Sequence, residues 1–219
     1  MTASGTDGDV TAEARSPRGA GAGDVAPGIP DERFSRGAAP MTKMEVRALT
    51  MAAARLRADD RVLDVGAGTG SLSVEAAMLC RDGEVVSLER DPAALELVRE
   101  NADRFGLDNV AVVAGAAPAA FAGLAPESFD RVLVGGSGGD LIAILEGLPA
   151  LLRPGGRVVC NTACLETTAA VAAALRRPPW SGFACSQLSV ARGVPAGPLL
   201  RFEALNPVWV SSAALEVAP

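Results

Sequence analysis

The chain contains no histidine and no tyrosine, and aromatic residues make up only 4% of it. Without imidazole there is no Ser-His or Cys-His nucleophile and no histidine metal ligand. Base chemistry near neutral pH is left to carboxylates, lysine, thiolate or water, which favours a reaction that needs no strong protein base. Lysine is nearly absent too: of 20 cationic residues only Lys43 is one. A formal net charge of −6 argues against a general nucleic-acid binder, whose surface is usually basic. The cysteines Cys80, Cys160, Cys164 and Cys185 form no Cys-x-x-Cys cluster. No metal is therefore expected, and the thiols read as small buried hydrophobes in a reducing cytoplasm. Neither a signal peptide nor a bilayer-spanning apolar run is visible, so a cytoplasmic protein without membrane association is expected.

What is present supports one domain with an appendage. The chain has 219 residues, 49% of them hydrophobic, enough to bury a core. Residues 1–26 carry almost no large apolar side chains and are expected to be a disordered extension, either a linker or a neutral tail. Residues 27–41, with paired prolines and glycines, read as an ordered arm, and residues 42–219 as the domain. Thr42-Lys43-Met44-Glu45 is a capping-box pattern, so Thr42 is read as the N-cap of a helix over 42–57.

An alternation follows. Strands are predicted over 61–65, 84–89, 110–114, 131–135 and 157–161. Helices are predicted over 71–79, from Asp91-Pro92 to a stop at Gly106, over 140–152, and over 165–176. Pro154-Gly155-Gly156 reads as a tight turn. Two late strands, over 185–191 and 208–213, lack an intervening helix and are expected to pair antiparallel. This pattern predicts an α/β, Rossmann-like fold: a seven-stranded, mostly parallel sheet with helices on both faces and a C-terminal antiparallel hairpin.

The chemistry starts at the loop Gly66-Ala67-Gly68-Thr69-Gly70, which joins the first strand to a helix. Glycines let the backbone pass close under a ligand, and the helix N-terminus adds oriented N–H groups. A Walker A loop needs Gly-Lys-Ser/Thr, and a dinucleotide fingerprint needs G-x-G-x-x-G; neither is present. Here glycines occupy every second position, with Asp64 two residues before the first. That spacing suits a ligand without a pyrophosphate whose amino-acid portion lies over the loop. Asp64 can organise the loop or meet the ammonium of that portion, directly or through water. Glu89, ending the next strand, can accept both ribose hydroxyls of an adenosine. Together these features suit S-adenosyl-L-methionine. The rival readings are a bare strand-to-helix turn and a solvated strand-end acid. Ala116 and Ala117, near the end of the third strand, can offer backbone groups to an adenine edge.

At this point the core resembles the decarboxylating precorrin-6 methyltransferases of cobalamin biosynthesis, which act at C15, over about residues 28–213. Gly28-Ile29-Pro30-Asp31 with Phe34 and Arg36-Gly37 is similar to that family's arm. Pro40-Met41-Thr42-Lys43 with Glu45-Val46-Arg47 is similar to its entry to the first helix. Gly135-Gly136-Ser137-Gly138-Gly139 is the most distinctive stretch, joined by Leu165-Glu166-Thr167, Ala191-Arg192-Gly193 and Asn206-Pro207-Val208. Ala116 departs from the family, which carries an acid there.

The resemblance implies a class I S-adenosylmethionine-dependent methyltransferase. It would methylate C15 of a precorrin tetrapyrrole and decarboxylate the C12 acetate, as a homotetramer, with C5 methylated by a separate partner subunit or domain. It adds a cofactor contact for Thr42. A substrate with several carboxylates calls for cations in the cleft, and Arg36, Lys43, Arg192 and Arg201 are the candidates, each otherwise an ordinary solvated charge. Ser137, Gly138, Gly139 and Glu166 are expected near the reacting centre, with Ser137 and Glu166 as catalytic candidates. Glu166 could act as an acid, bind substrate, or cap its helix with Thr167.

Two other readings stand beside this one. Another class I methyltransferase would act on RNA, protein or a small molecule. Against it, no Asn/Asp-Pro-Pro-Tyr/Phe motif follows the fourth strand, the charge disfavours tRNA, and only Asp140 is near for a metal-dependent O-methyltransferase. A cofactor-binding but catalytically silent subunit is the other.

Overall fold

The protein is described here by a computed structural model over residues 26–217. The extension expected over residues 1–26 lies, apart from Ala26, outside the described residues. In chain order the elements are α1 (Met44–Ala54), β1 (Arg61–Val65), α2 (Ser71–Leu79), β2 (Glu84–Glu89), α3 (Pro92–Arg104), β3 (Val110–Ala114) and β4 (Phe129–Val134). Then come α4 (Leu141–Gly147), β5 (Leu152–Thr162), α5 (Leu165–Leu175), β6 (Trp180–Leu188), β7 (Ala191–Ala196), β8 (Leu199–Ala204) and β9 (Val208–Leu215).

Seven strands form one sheet in the order β3-β2-β1-β4-β5-β9-β6. β1 to β5 run parallel, and β9 enters antiparallel between β5 and β6. The strand order reverses beside β1, so the carboxyl ends of β1 and β4 open the crevice where ligands bind in such sheets. The two-residue period of a strand divides the core. Val62 packs with Val46, Met51 and Ala76 on the α1–α2 face, while Leu63 and Val65 pack with Leu141, Ile144 and Val171 on the α4–α5 face. Asp64 shares the face of Val62, which directs its carboxylate toward α2.

The late strands pair antiparallel as read, but β6 starts at Trp180 rather than 185, and a second hairpin, β7–β8, stands outside the main sheet. Pro195 lies inside β7, and a proline usually argues against a strand interior. A two-stranded ribbon tolerates it because every strand in it is an edge.

Several boundaries differ from the sequence reading. The N-cap of α1 is Lys43, not Thr42, and no side chain caps it. Arg192 takes the Glu45 carboxylate, with bonds of 2.8 and 3.1 Å, and a charge-assisted pair displaces the weaker capping box. Arg47 meanwhile donates to the Thr42 carbonyl and holds that residue outside the helix. α1 stops at Ala54, and its C-cap Arg55 turns into the left-handed region with φ 54°. α4 stops at Gly147 because Pro149 supplies no N–H to continue it. A 3-10 turn over Leu148–Ala150 follows, and β5 starts at once with buried Leu152. Pro154-Gly155-Gly156 is therefore an irregular stretch inside β5, where its register on β4 shifts. Of the cysteines, Cys80 and Cys160 are buried and their thiols are pushed up to about 12 by desolvation, whereas Cys164 and Cys185 are exposed.

Candidate functional site

A cavity of about 640 Å³ opens at the carboxyl ends of β1, β2 and β4, a size that suits a small-molecule ligand. The glycine loop forms its floor. Gly66 and Gly68 have φ of 69° and 58°, and each lacks a side chain for a different reason. A Cβ on Gly66 would lie 2.1 Å from the Gly136 carbonyl oxygen, so this glycine lets the β1 and β4 loops touch. A Cβ on Gly68 would lie 3.2 Å from the Pro40 carbonyl oxygen, so this one admits the arm.

Glu89 fixes the loop from the side. Its Oε2 accepts the Gly68 N–H at 2.9 Å, and its Oε1 accepts the Arg90 and Asp91 N–H groups at 2.8 and 3.0 Å. A carboxylate offers about four lone-pair sites, so with three taken capacity remains for one ribose hydroxyl rather than both. Asp64 supports the loop from beneath. It is fully buried, and its Oδ2 accepts the Ser73 hydroxyl at 2.6 Å, which in turn takes a bond from Ser87 at 2.7 Å. Burial pushes the Asp64 carboxyl up to about 6 against the opposing Ser73 bond.

The arm makes one wall, with residues Ala38 to Lys43 in the lining. Arg47, fully buried, anchors it: its Nη1 donates to Asp31 at 2.8 Å, its Nε to Glu75 at 2.9 Å, and its Nη2 to the Ile29 carbonyl. The Glu75 carboxylate also accepts the N–H groups of Gly28 and Ile29 at 3.2 and 3.1 Å. Asp31 takes a second cation, Arg192, at 2.9 Å. Burial pushes the Asp31 carboxyl up, but the bonds from Arg192 and Arg47 outweigh it and hold it below the usual range. Asn101 on α3 ties arm to loop, donating to the carbonyls of Ser35 at 3.1 Å and Thr69 at 2.8 Å.

Of the residues singled out from sequence, Thr42, Lys43, Gly66, Ala67, Gly68, Glu89, Ala116, Ala117, Ser137 and Gly138 line this one cavity. Asp64, Thr69 and Gly70 lie beneath it, buried. Gly139 is exposed just beyond the lining. Arg36 donates to the Asp31 carbonyl at 3.3 Å, Arg192 is held by Asp31 and Glu45, and Arg201 pairs with Glu203 on the β7–β8 hairpin. None of these three lines the cavity, because acidic or carbonyl partners hold them elsewhere. Glu166 is exposed in the first turn of α5, outside the lining. Arg90, Asn161 and Thr162 line the cavity without having been singled out. Their signal was position alone: Arg90 follows Glu89, and the other two end β5.

The family model described as the precorrin methyltransferase domain matches residues 32–213, from the arm through the last strand. The chain belongs to the precorrin methyltransferase family. The cobalt-precorrin-6B C(15)-methyltransferase (decarboxylating) of Salmonella typhimurium is 40% identical over 181 residues, covering 82% of this chain and 92% of the relative. The crystal structure of precorrin-6y C5,15-methyltransferase from Geobacter metallireducens matches with a TM-score of 0.79 at 34% identity, covering 85% of this chain and 96% of that one. The C-terminal domain of precorrin-6Y C5,15-methyltransferase from Rhodobacter capsulatus matches with a TM-score of 0.75 at 31% identity, covering 86% and 97%. The precorrin methyltransferase match thus takes in the cavity-lining part of the arm and the glycine loop, which meet at Gly68 and Pro40. Among the described residues no helix is long and apolar enough to cross a membrane.

Proposed function

We propose that this enzyme transfers methyl from S-adenosylmethionine to C15 of a precorrin-6 type tetrapyrrole and decarboxylates its C12 acetate. The observation that carries this reading is the meeting of the glycine loop, Glu89 and the arm in one cavity, within a chain of the precorrin methyltransferase family.

The residues fit the cofactor. Glu89 has acceptor capacity left for a ribose. Asp64 Oδ1 and Thr69 Oγ1 are buried beneath the loop without a partner among the described residues, so polar groups there await a ligand or water. Ala116 and Ala117 lie in the lining beyond β3, where backbone groups can meet adenine. Thr42 faces the same cavity from the arm. When bound, S-adenosylmethionine supplies an electrophilic methyl. The chain's own part is positioning: the arm and the Gly135–Gly138 loop narrow the cavity over the reacting atoms and exclude water. No strong base is required, because the nucleophile is a carbon of an electron-rich macrocycle and the ring accepts the electrons of decarboxylation. Lys43 is placed for a substrate carboxylate, and Ser137, Gly138 and Gly139 border the macrocycle.

We also propose a homotetramer, with C5 methylated by a separate partner. The β7–β8 hairpin exposes Leu199, Leu200 and Phe202 by 72, 69 and 75%. Exposed apolar side chains on a lone ribbon suit contact with another copy. Light scattering on the wild type and on Phe202→Asp tests this: a tetramer that falls to smaller species supports it, and a wild-type monomer contradicts it.

The function is tested with methyl-labelled S-adenosylmethionine and the hydrogenated precorrin-6 tetrapyrrole. Label in the macrocycle, with release of carbon dioxide, is expected. Tight cofactor binding without label transfer would contradict this reading and favour a silent cofactor-binding subunit or a methyltransferase with another substrate.

A further inference from the structure

Among the described residues two cations line the cavity, Lys43 and Arg90. The Lys43 ammonium already donates to the Asn206 carbonyl at 2.6 Å. Among the described residues the Arg90 guanidinium has no hydrogen bond and no ion pair; only its backbone N–H is engaged, by Glu89. The acids beside it are satisfied without it. Glu89 accepts three backbone N–H groups, and Asp91 caps α3 by accepting the Ala93 N–H at 2.9 Å.

The position of this unpaired cation is specific. Arg90 follows β2, yet its guanidinium reaches Gly138 on the loop after β4, crossing above β1, which lies between them. A Cβ on Gly138 would lie 2.7 Å from Nη1, 2.8 Å from Cζ and 2.9 Å from Nη2. Three nearly equal distances place that point over the face of the guanidinium, not at its edge. The guanidinium therefore turns its face to the space that a side chain at Gly138 would fill. Its N–H groups lie in the guanidinium plane and stay free for a planar, two-oxygen acceptor.

We infer that Arg90 anchors a peripheral carboxylate of the macrocycle, and that Gly138 is side-chain-free to seat it. The inference rests on the proposed substrate class. The carboxylate held is not the one that leaves. Decarboxylation moves charge from the acetate into the ring, and a guanidinium on that acetate would stabilise the starting state more than the transition state. Arg90 instead holds a neighbouring acid, in a contact made equally by the bound substrate and the transition state.

The test uses the full chain with Arg90→Ala and Arg90→Lys. Steady-state kinetics with the hydrogenated precorrin-6 tetrapyrrole is read beside calorimetry with S-adenosylhomocysteine. For Arg90→Ala, KM should rise about 10- to 100-fold, the loss of a charge-assisted bond. The kcat should stay within about threefold, as for a lost binding contact. Arg90→Lys should recover part of the loss, and the S-adenosylhomocysteine Kd should not change. A Kd that rises in step with KM would assign Arg90 to the adenosine and overturn the inference, as would an unchanged KM in an active variant. Lack of wild-type turnover in the same assay would overturn the functional reading and this inference with it.

Discussion

The Glu89 carboxylate accepts the Gly68 N–H at 2.9 Å, so the acid that ends β2 is bonded to the middle of the loop that follows β1. One side chain thus shapes the loop and faces the cavity. Glu89→Ala removes an acceptor for three backbone donors as well as the proposed ribose contact, and bonds to a charged group are the stronger kind. The S-adenosylhomocysteine Kd should rise about 100-fold by calorimetry, with Glu89→Gln intermediate because one oxygen remains. An unchanged Kd in the alanine variant would remove Glu89 from the cofactor site.

Arg47, fully buried on α1, is the anchor of the arm. Arg47→Met leaves the Asp31 and Glu75 carboxylates buried beside an apolar side chain, which should cost about 3–5 kcal/mol in urea unfolding. Adding Glu75→Gln to Arg47→Met should recover part of this, because a neutral amide is cheaper to bury. A loss under about 1 kcal/mol would mean that the pair is not holding the arm.

Asp64 gives a pH dependence whose sign follows from its raised pKa. Its carboxyl is neutral below about 6 in the fold, whereas its ordinary value is 3.8. The unfolded chain therefore loses this proton first, and between those values Asp64 lowers stability as pH rises, with no further change above. Asp31 and Glu45 act oppositely: bonds from Arg192 hold both below the usual range, so their stabilisation is lost as pH falls through their folded values. If the cofactor ammonium is sensed by Asp64, S-adenosylhomocysteine affinity should increase with pH up to about 6 and then level off. Asp64→Asn should abolish the step. A step that persists in that variant would assign it to another group.

Gly66→Ala tests the join between the β1 and β4 loops. The new Cβ would overlap the Gly136 carbonyl oxygen, and φ of 69° disfavours a side chain. Destabilisation of about 3 kcal/mol or more is expected by thermal or urea unfolding, along with lost cofactor binding. A variant with wild-type stability would contradict the packing described for Gly66.

Much of the nucleotide half was legible because its signals are local. The bounds of β1, α2, β2 and β3 follow from short apolar runs between turn residues, and Asp91-Pro92 announces α3. The backbone stretches that line the cavity were legible for the same reason: the glycine loop and the Gly135–Gly138 stretch fall at strand ends by sequence alone. Pairings across long separations were not. Glu45 looked like part of a capping box until Arg192, distant in sequence, took its carboxylate. The β7–β8 hairpin was obscured by Pro195. Arg36, Arg192 and Arg201 looked like the cleft's cations because a sequence does not display which charges are already paired. Arg90 was overlooked for the converse reason, since its lack of a partner exists only in the fold.

The most direct test of the account is a single-turnover mass measurement on the hydrogenated precorrin-6 tetrapyrrole with S-adenosylmethionine and the wild-type enzyme. The product should have gained one methyl group and lost carbon dioxide. A product that gains methyl and keeps every carboxyl, or a macrocycle of unchanged mass beside tightly bound cofactor, would contradict it.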